Sequence, residues 1–362
     1  MEMCKKVRIL VFAEKKREVY GELISVLREE FTVEEWYVIP DQDNPPSVLA
    51  RYVSVIKNLG KVLKSKPDKV LICGGSLISV WIIVSLIRLF RLNIEIILFR
   101  YDIEYFWPYP KRSAEKIIRI IALQLEKFCF LQSDKILHKG LEYELRFLPY
   151  YKKIRRKPHY LYREFFDKTL VQNEGKGKKL SIKDNGIHLV YAGGLYFDDL
   201  PSMESFWNFY RKITSQKMHL HIYSKQPDNI VRKLKEMEQN DAYFHYEGYR
   251  EHKNLIAEMT KYDYGIHMFG NGTSKKNDIS TIIAFSNKNY DYLLAGLPVI
   301  ATKNLVAVSD FITRNKIGFC INYGQIIQLK SLMPKSPNRY SKNIKRFINN
   351  YGTAGLINFL NR

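Results

Sequence analysis

The chain has 362 residues, enough for two domains, and with 46% hydrophobic and 26% charged residues it carries ample apolar material for packed cores. That balance excludes a disordered, collagen-like or coiled-coil architecture. Fifty-eight Lys and Arg against 37 Asp and Glu leave a formal charge of +21, which directs attention to anionic partners: a membrane surface, nucleic acid or phosphorylated ligands.

The opening run MEMCKKVRILVFAEKK is too short in apolar residues for a signal peptide, and Arg8–Ala13 reads as the first strand. A helix over Tyr20–Glu29, a strand over Thr32–Ile39, a helix over Val48–Ser65 and a short buried strand over Lys69–Cys73 follow. Residues 77–87, LISVWIIVSLI, are almost wholly apolar, but Arg88 and Arg91 interrupt before about 18 residues accumulate, so no transmembrane helix is expected. A buried helix feeding the strand Ile94–Phe99 explains the run; partial insertion into one leaflet is the alternative. Arg112–Gln132 is a long amphipathic helix and Lys135–His138 the next strand.

The alternation breaks after Tyr150. The segment YKKIRRKPHYLYREFFDK is basic and aromatic, and the turn-rich VQNEGKGKKLSIKDNG after it reads as an interdomain connection. A second series then runs through strand Ile187–Ala192, helix Met203–Thr214, strand His219–Tyr223, helix Asn229–Glu238 and strand Ala242–Tyr246. Helix Lys253–Thr260, strand Tyr264–Met268, helix Asn287–Ala295 and strand Pro298–Thr302 continue it, and an amphipathic segment over Ser341–Asn361 closes the chain. Two series of this kind predict an α/β protein of two Rossmann-like domains facing a cleft, residues 1–175 and 176–335, with a helical segment 336–362 packing back toward the first domain. Ligands in such folds bind beyond the carboxyl ends of the strands.

The stretch SNKNYDYLLAGLPVIATKN, residues 286–304, carries the most chemistry. Ser286 or Asn287 can cap a helix, Gly296 supplies a left-handed residue past its end, and Pro298 prevents continuation. Lys288 and Asp291, three apart, share one side of the first turn. Such a lysine at a helix start can bind the phosphates of a nucleotide diphosphate, and the carboxylate can accept hydrogen bonds from a ribose diol. An ordinary helix–turn–strand unit with a surface Lys and Asp fits the pattern equally. The eight histidines make no metal site by spacing: His219 and His221 alternate on a strand, which more often reflects packing. The four cysteines, Cys4, Cys73, Cys129 and Cys320, lack CxxC spacing and fit a reducing compartment.

The run SNKNYDYLLAGLPVIA resembles the P-N/S-K-x-x-E-Y-L-A-A-G-x-P-V-I segment of GT-B-fold glycosyltransferases, especially the group 1 (family 4) set. The resemblance gives Asp291 the ribose contact and Lys288 a place near the donor phosphates. Asp stands here for the usual Glu, and Ile283 occupies the position eight residues before Asp291, so the E-x7-E form is absent. IHLVYAGGLYFDDLPSM is similar to the first strand and loop of the family's donor-binding domain, placing Gly193 and Gly194 where backbone approaches the donor. By the same resemblance Ser224 or Lys225 reaches phosphate and Tyr249 and Arg250 line the base pocket; His267, at a strand end near the motif loop, is either a buried structural residue or a donor contact. EIILFRYDIEYFWPYP resembles the "R-D-l-W-P" strand end of some members, which makes Asp102 a candidate for positioning or deprotonating an acceptor hydroxyl, with Glu104 or a plain helix cap as alternatives.

The implied function is transfer of a sugar from a nucleotide-diphosphate donor to a hydroxyl acceptor, a lipid-linked or cell-envelope glycan. The implied mechanism retains configuration and uses no metal and no cofactor, although the Asp198–Asp199 pair is reminiscent of metal-binding carboxylates. Lys152, Lys153, Arg155, Arg156 and Lys157, interleaved with tyrosines, suit an anionic membrane surface better than nucleic acid, for which no binding motif accompanies them. A cytoplasmic protein bound peripherally to the inner face of the membrane is the expected setting. The rival readings are a sugar-nucleotide epimerase of the same fold and a non-catalytic adaptor that has lost the chemistry.

Overall fold

The computed structural model describes residues 6–15, 18–39, 53, 55, 66–74, 76–90, 92–100, 103, 113–138, 145–146, 148–162, 178–195, 200–268, 285–334, 336–350 and 353–362. The chain divides into two units, Met1–Glu164 with Gly352–Arg362, and Phe165–Tyr351.

The first unit contains β1 (Arg8–Lys15), α1 (Glu18–Glu30), β2 (Thr32–Ile39), β3 (Lys69–Cys73), α2 (Leu77–Leu89), β4 (Glu95–Arg100), α3 (Ser113–Gln132), β5 (Lys135–His138) and β6 (His159–Leu161). Its six strands run parallel in the order β2-β1-β3-β4-β5-β6. Ile9, Leu10, Val11 and Phe12 are all buried although successive side chains leave opposite faces, so both faces of the sheet are covered. Leu10 and Phe12 join Val80, Ile83, Val84 and Ile87 of α2 and Phe130 of α3. Ile9 and Val11 join Leu23 and Leu27 of α1 on the other side.

The apolar run at 77–87 is thus largely a core helix, started by Ser76, whose hydroxyl accepts from the Ser79 amide. Ile78, Trp81 and Leu89 remain exposed on its outer side, and on α3, which packs beside it, Ile117, Ile118, Ile120 and Ile121 are exposed as well. No helix among the described residues is long and apolar enough to cross a membrane.

Part of the segment read as a connection is a strand. β6 pairs with β5, the turn before it (Tyr151–Ile154) buries Ile154, and Tyr162 lies edge-on against Phe99. Of the five basic residues there, Lys152, Lys153, Arg155 and Arg156 are exposed, whereas Lys157 donates to the Leu131 carbonyl at 2.9 Å and to that of Ser133. The helix expected over Val48–Ser65 lies almost wholly outside the described residues; Val53 and Val55 are helical.

The second unit contains β7 (His188–Ala192), α4 (Leu200–Thr214), β8 (His219–Tyr223), α5 (Asp228–Asn240), β9 (Phe244–Gly248), α6 (His252–Met259), β10 (Tyr264–His267), α7 (Lys288–Leu294), β11 (Val299–Thr302), α8 (Val306–Asn315), β12 (Gly318–Ile321) and α9 (Ser341–Asn350). Its strands are again all parallel, in the order β12-β11-β10-β7-β8-β9. The order reverses between β7 and β10, and a doubly wound sheet opens a ligand crevice at the carboxyl ends of such a pair.

The closing amphipathic segment is two helices. α9 belongs to the second unit, and α10 (Thr353–Asn361) belongs to the first, where Leu356 and Leu360 complete its core. The C-terminal helix therefore returns to the N-terminal unit as expected, with the Lys135 ammonium donating to the Leu360 carbonyl at 3.3 Å.

Candidate functional site

The reversal between β7 and β10 fixes what the site contains. β7 ends at Ala192 and leads into Gly193 and Gly194; β10 ends at His267; α7 starts nearby with Lys288. Tyr292 fastens that helix to both strands, its hydroxyl accepting from the Ala192 amide and donating to the Ile266 carbonyl, each at 3.0 Å. Gly265 makes this approach possible, because a Cβ there would lie 2.2 Å from the Tyr292 ring. The far end of α7 closes as the sequence implies. Gly296 has φ of 74°, its amide donates to Leu293, and the Leu297 amide donates to Tyr292. The start differs: neither Ser286 nor Asn287 caps with its side chain. Asn289 reaches back instead, its amide group donating to the Ser286 carbonyl at 2.9 Å.

Lys288 is buried, with its ammonium 2.9 Å from the Tyr191 hydroxyl and 4.0 Å from the centre of that ring. Tyr191 passes its own proton to the Gly194 carbonyl at 2.8 Å. A Cβ on Gly193 would sit 3.3 Å from both Cε and Nζ of Lys288, so the glycine leaves the lysine head its space. Gly193 also has φ of 139°, a conformation that side chains rarely adopt. Burial pushes the Lys288 ammonium down to about 7, partly opposed by the Asp291 charge. A lysine poised in this way gains most when an anion enters beside it.

Asp291 is also buried, and His252, the first residue of α6, meets it with Nε2 2.8 Å from Oδ1. His267 is fully buried, with Nδ1 2.9 Å from the Asn289 side-chain oxygen. Burial first, and then the Lys288 charge, push it down to about 3, so its imidazole is neutral. Lys225, Tyr249 and Arg250 are exposed beyond the carboxyl ends of β8 and β9. The Lys225 ammonium stands 5.6 Å over the Tyr249 ring, and Arg250 donates to the Tyr249 carbonyl at 3.0 Å. Ser224, the alternative to Lys225, is buried and receives the Gln226 amide at 2.7 Å.

The structure thus brings Gly193, Gly194, His267, Lys288 and Asp291 to one crevice edge, with Asn287 and Ser286 at its helix start. Sequence reasoning missed Tyr191, His252, Asn289 and Tyr292. Tyr292 and Asn289 lay inside the motif already singled out, and the one-turn spacing from Lys288 to Tyr292 pointed at the strand behind the helix. His252 is 39 residues from Asp291, and no local signal joins them. Asp102, Glu104, Asp198, Asp199 and Ile283 lie outside the described residues.

The histidines show no metal-ligand spacing along the chain, yet three donor groups come together in the fold. Among the described residues Asp184, His188 and His219 bring one donor atom each to within 4.8 Å of one another, at the amino ends of β7 and β8. Asp184 and His188 are four residues apart, and the pairing of β7 with β8 brings His219 to them.

Residues 191–353 match the family described as "Glucosyltransferase 3-like, C-terminal domain". Among solved structures, the apo form of the lipopolysaccharide outer core galactosyltransferase WaaB superposes with a TM-score of 0.63 at 12% identity, over 98% of this chain and 99% of that one. The sucrose-phosphate synthase of Thermosynechococcus elongatus gives 0.59 at 11% identity, covering 95% and 94%. Anabaena HepE in complex with UDP and glucose gives 0.57 at 11% identity, covering 96% of each. A UDP-N-acetylglucosamine 2-epimerase gives 0.52 at 11% identity, covering 94% and 91%. A search of curated proteins returned no match.

Proposed function

We propose that this chain, which has the GT-B fold and matches the glucosyltransferase 3-like C-terminal domain over residues 191–353, transfers a sugar from a nucleotide-diphosphate donor to a hydroxyl acceptor. The observation that carries this reading is the Lys288 head lying against Gly193 at the strand-order reversal, with Asp291 one turn further along the helix.

In this reading the donor diphosphate lies over Gly193 and Gly194. Lys288, drawn to its charged form by the phosphates, neutralises the departing diphosphate as the glycosidic bond breaks. Asp291 accepts the ribose hydroxyls, and His252 fixes the carboxylate for that contact. Tyr249 offers an aromatic face to the base, while Lys225 and Arg250 add positive charge at the rim. His267 and Asn289 hold the floor as a neutral pair. The chemistry follows the family's retaining course and needs no metal on the leaving group. UDP is the first nucleotide to test, because HepE holds it on the same fold.

The acceptor falls to the N-terminal unit, with Asp102 positioning or deprotonating its hydroxyl. A lipid-linked or envelope glycan suits that unit, whose exposed Lys152, Lys153, Arg155 and Arg156 would attract an anionic bilayer while Trp81 and the α3 isoleucines enter it.

The similarity to a 2-epimerase keeps a second reading in view, in which the same crevice reshapes the sugar instead of transferring it. Incubation with UDP-sugars and membrane extract separates the two. Transfer releases UDP in step with label entering an acceptor, whereas epimerisation changes the sugar with no acceptor present. A protein that binds no nucleotide sugar in a thermal-shift screen would be neither.

A further inference from the structure

The Lys288 head has a fixed place because another side chain makes one for it. Tyr191 is the penultimate residue of β7, a central strand between β8 and β10. It is 1% exposed, and its ring meets that of Tyr210 on α4 edge-on, with centres 6.4 Å apart at 72°. A phenol on such a support is a firmer anchor than a flexible four-carbon lysine stem provides for itself.

The phenol works in two directions. Its hydroxyl donates to the Gly194 carbonyl at 2.8 Å, and with that proton committed the oxygen is left to accept from the Lys288 ammonium at 2.9 Å. The ammonium also stands 4.0 Å from the ring centre, within reach of a cation–π attraction. A Cβ on Gly193 would lie 3.3 Å from Lys288 Nζ and 4.0 Å from the Tyr191 hydroxyl, so loop, phenol and lysine head share one corner. We propose that Tyr191 is a positioning residue of the donor site, which holds the Lys288 ammonium at the crevice and ties the Gly193–Gly194 loop to it. The inference rests on the reading of that crevice as a nucleotide-sugar site.

Both contacts act on the lysine in the same sense. A phenol oxygen and the negative face of an aromatic ring stabilise an ammonium more than an amine, and so oppose the burial that pushes Lys288 down. Two other groups face the ammonium. Asp291, one turn along α7, supports the charge, whereas His267 at the end of β10 is neutral down to about 3. His252 of α6 stands against Asp291, and Tyr210 stands against Tyr191.

The choice of a tyrosine suits this task. A carboxylate in its place would bind the ammonium as an ion pair and compete with the donor for its charge. An uncharged phenol places the lysine head beside the loop and leaves that charge for an entering diphosphate. The lysine then needs no large rearrangement when the donor arrives, which is the condition for effective electrostatic stabilisation of a leaving group.

The test is Tyr191→Phe, which keeps the ring and removes only the hydroxyl, with far-UV circular dichroism as the folding check. Calorimetry of a UDP-sugar in two buffers of different ionisation heat reads the proton taken up on binding. If loss of the hydroxyl lowers the proton affinity of Lys288 tenfold, uptake at pH 7 rises from about 0.5 to about 0.9 proton per donor. Donor affinity then falls about fivefold at pH 7 and about ninefold at pH 8, but less than about twofold at pH 5.5. Protons contributed by His252 enter both proteins alike and cancel in the comparison. A merely structural role would lower affinity by one factor at every pH and leave the proton count at its wild-type value, and that result would overturn the inference while leaving the donor site standing. A second measurement needs no donor: with 13C-labelled lysine, the Cε resonance that titrates near pH 7 and is lost in Lys288→Met should titrate at lower pH in Tyr191→Phe. An unmoved midpoint would also overturn the inference. A wild type that binds no nucleotide sugar would instead overturn the donor reading, and the lysine titration would still decide whether Tyr191 holds the ammonium.

Discussion

Donor affinity should depend on pH through Lys288. Its ammonium is pushed down to about 7 by burial, whereas the proposed contact needs the charged form. A bound diphosphate restores the proton, so the pKa rises on binding and a proton is taken up with the ligand. At pH 7 about half the free protein is already protonated, and about 0.5 proton should enter per donor bound; at pH 8 the figure is about 0.9. Between pH 7 and 9 the protonated fraction falls from about one-half to about one in a hundred. Affinity should therefore drop about fiftyfold, or about 2.3 kcal/mol. His267, down to about 3, stays neutral throughout this range and adds no slope. A nucleotide sugar is the right probe, because both its phosphates remain ionised across the window. Calorimetry in phosphate and in Tris at pH 7 and 8 reads the proton directly from the difference in heat. Identical heats in both buffers, with affinity flat from pH 6.5 to 9, would refute the placement of Lys288 on the phosphates.

Three further outcomes follow from the same geometry. Lys288→Met should abolish donor binding yet raise stability by about 1–2 kcal/mol near pH 7, read by urea unfolding. The sign follows from a folded pKa below the unfolded one: the lysine's penalty is fully present below about 7 and disappears as pH rises toward 10.5. His252→Ala should weaken donor affinity by roughly 3- to 30-fold, from loss of one charge-assisted contact that orients Asp291, while an unchanged KM would detach His252 from the site. The protein should sediment with anionic liposomes and be partly released at 1 M salt, where the Debye length is about 3 Å; neutralising Lys152, Lys153, Arg155 and Arg156 should reduce that binding and spare donor affinity. Equal sedimentation of the quadruple variant would leave the basic surface without this role.

The sequence was most readable where local chemistry alone decides the backbone. Thr32–Ile39, Lys69–Cys73 and Lys135–His138 have the bounds their apolar runs imply, and Gly296 takes the left-handed turn that Pro298 makes necessary. It was least readable where a partner elsewhere decides. His159–Leu161 sits in a basic, aromatic stretch without strand alternation, yet β5 offers it a paired edge and Tyr160 stacks with Phe359 from the end of the chain. The helix Val306–Asn315 and strand Gly318–Ile321 continue the second series past the last strand that its pattern suggested. Within the site, the Lys288 and Asp291 positions were visible as a three-residue spacing, but the burial of Lys288 under Tyr191 was not, because Tyr191 lies 97 residues away. His188, His219 and His245 show the same limit: only sheet register makes them neighbours.

The central claim is that the crevice at Gly193, Lys288 and Asp291 holds a nucleotide sugar. Titration calorimetry of UDP-glucose and other nucleotide sugars into wild-type protein and Asp291→Ala at pH 7 tests it most directly. The account predicts saturable binding of at least one nucleotide sugar, weakened by one to two orders of magnitude in the variant, about 1.5–3 kcal/mol for charge-assisted hydrogen bonds to the ribose. A folded Asp291→Ala protein with wild-type affinity would contradict it.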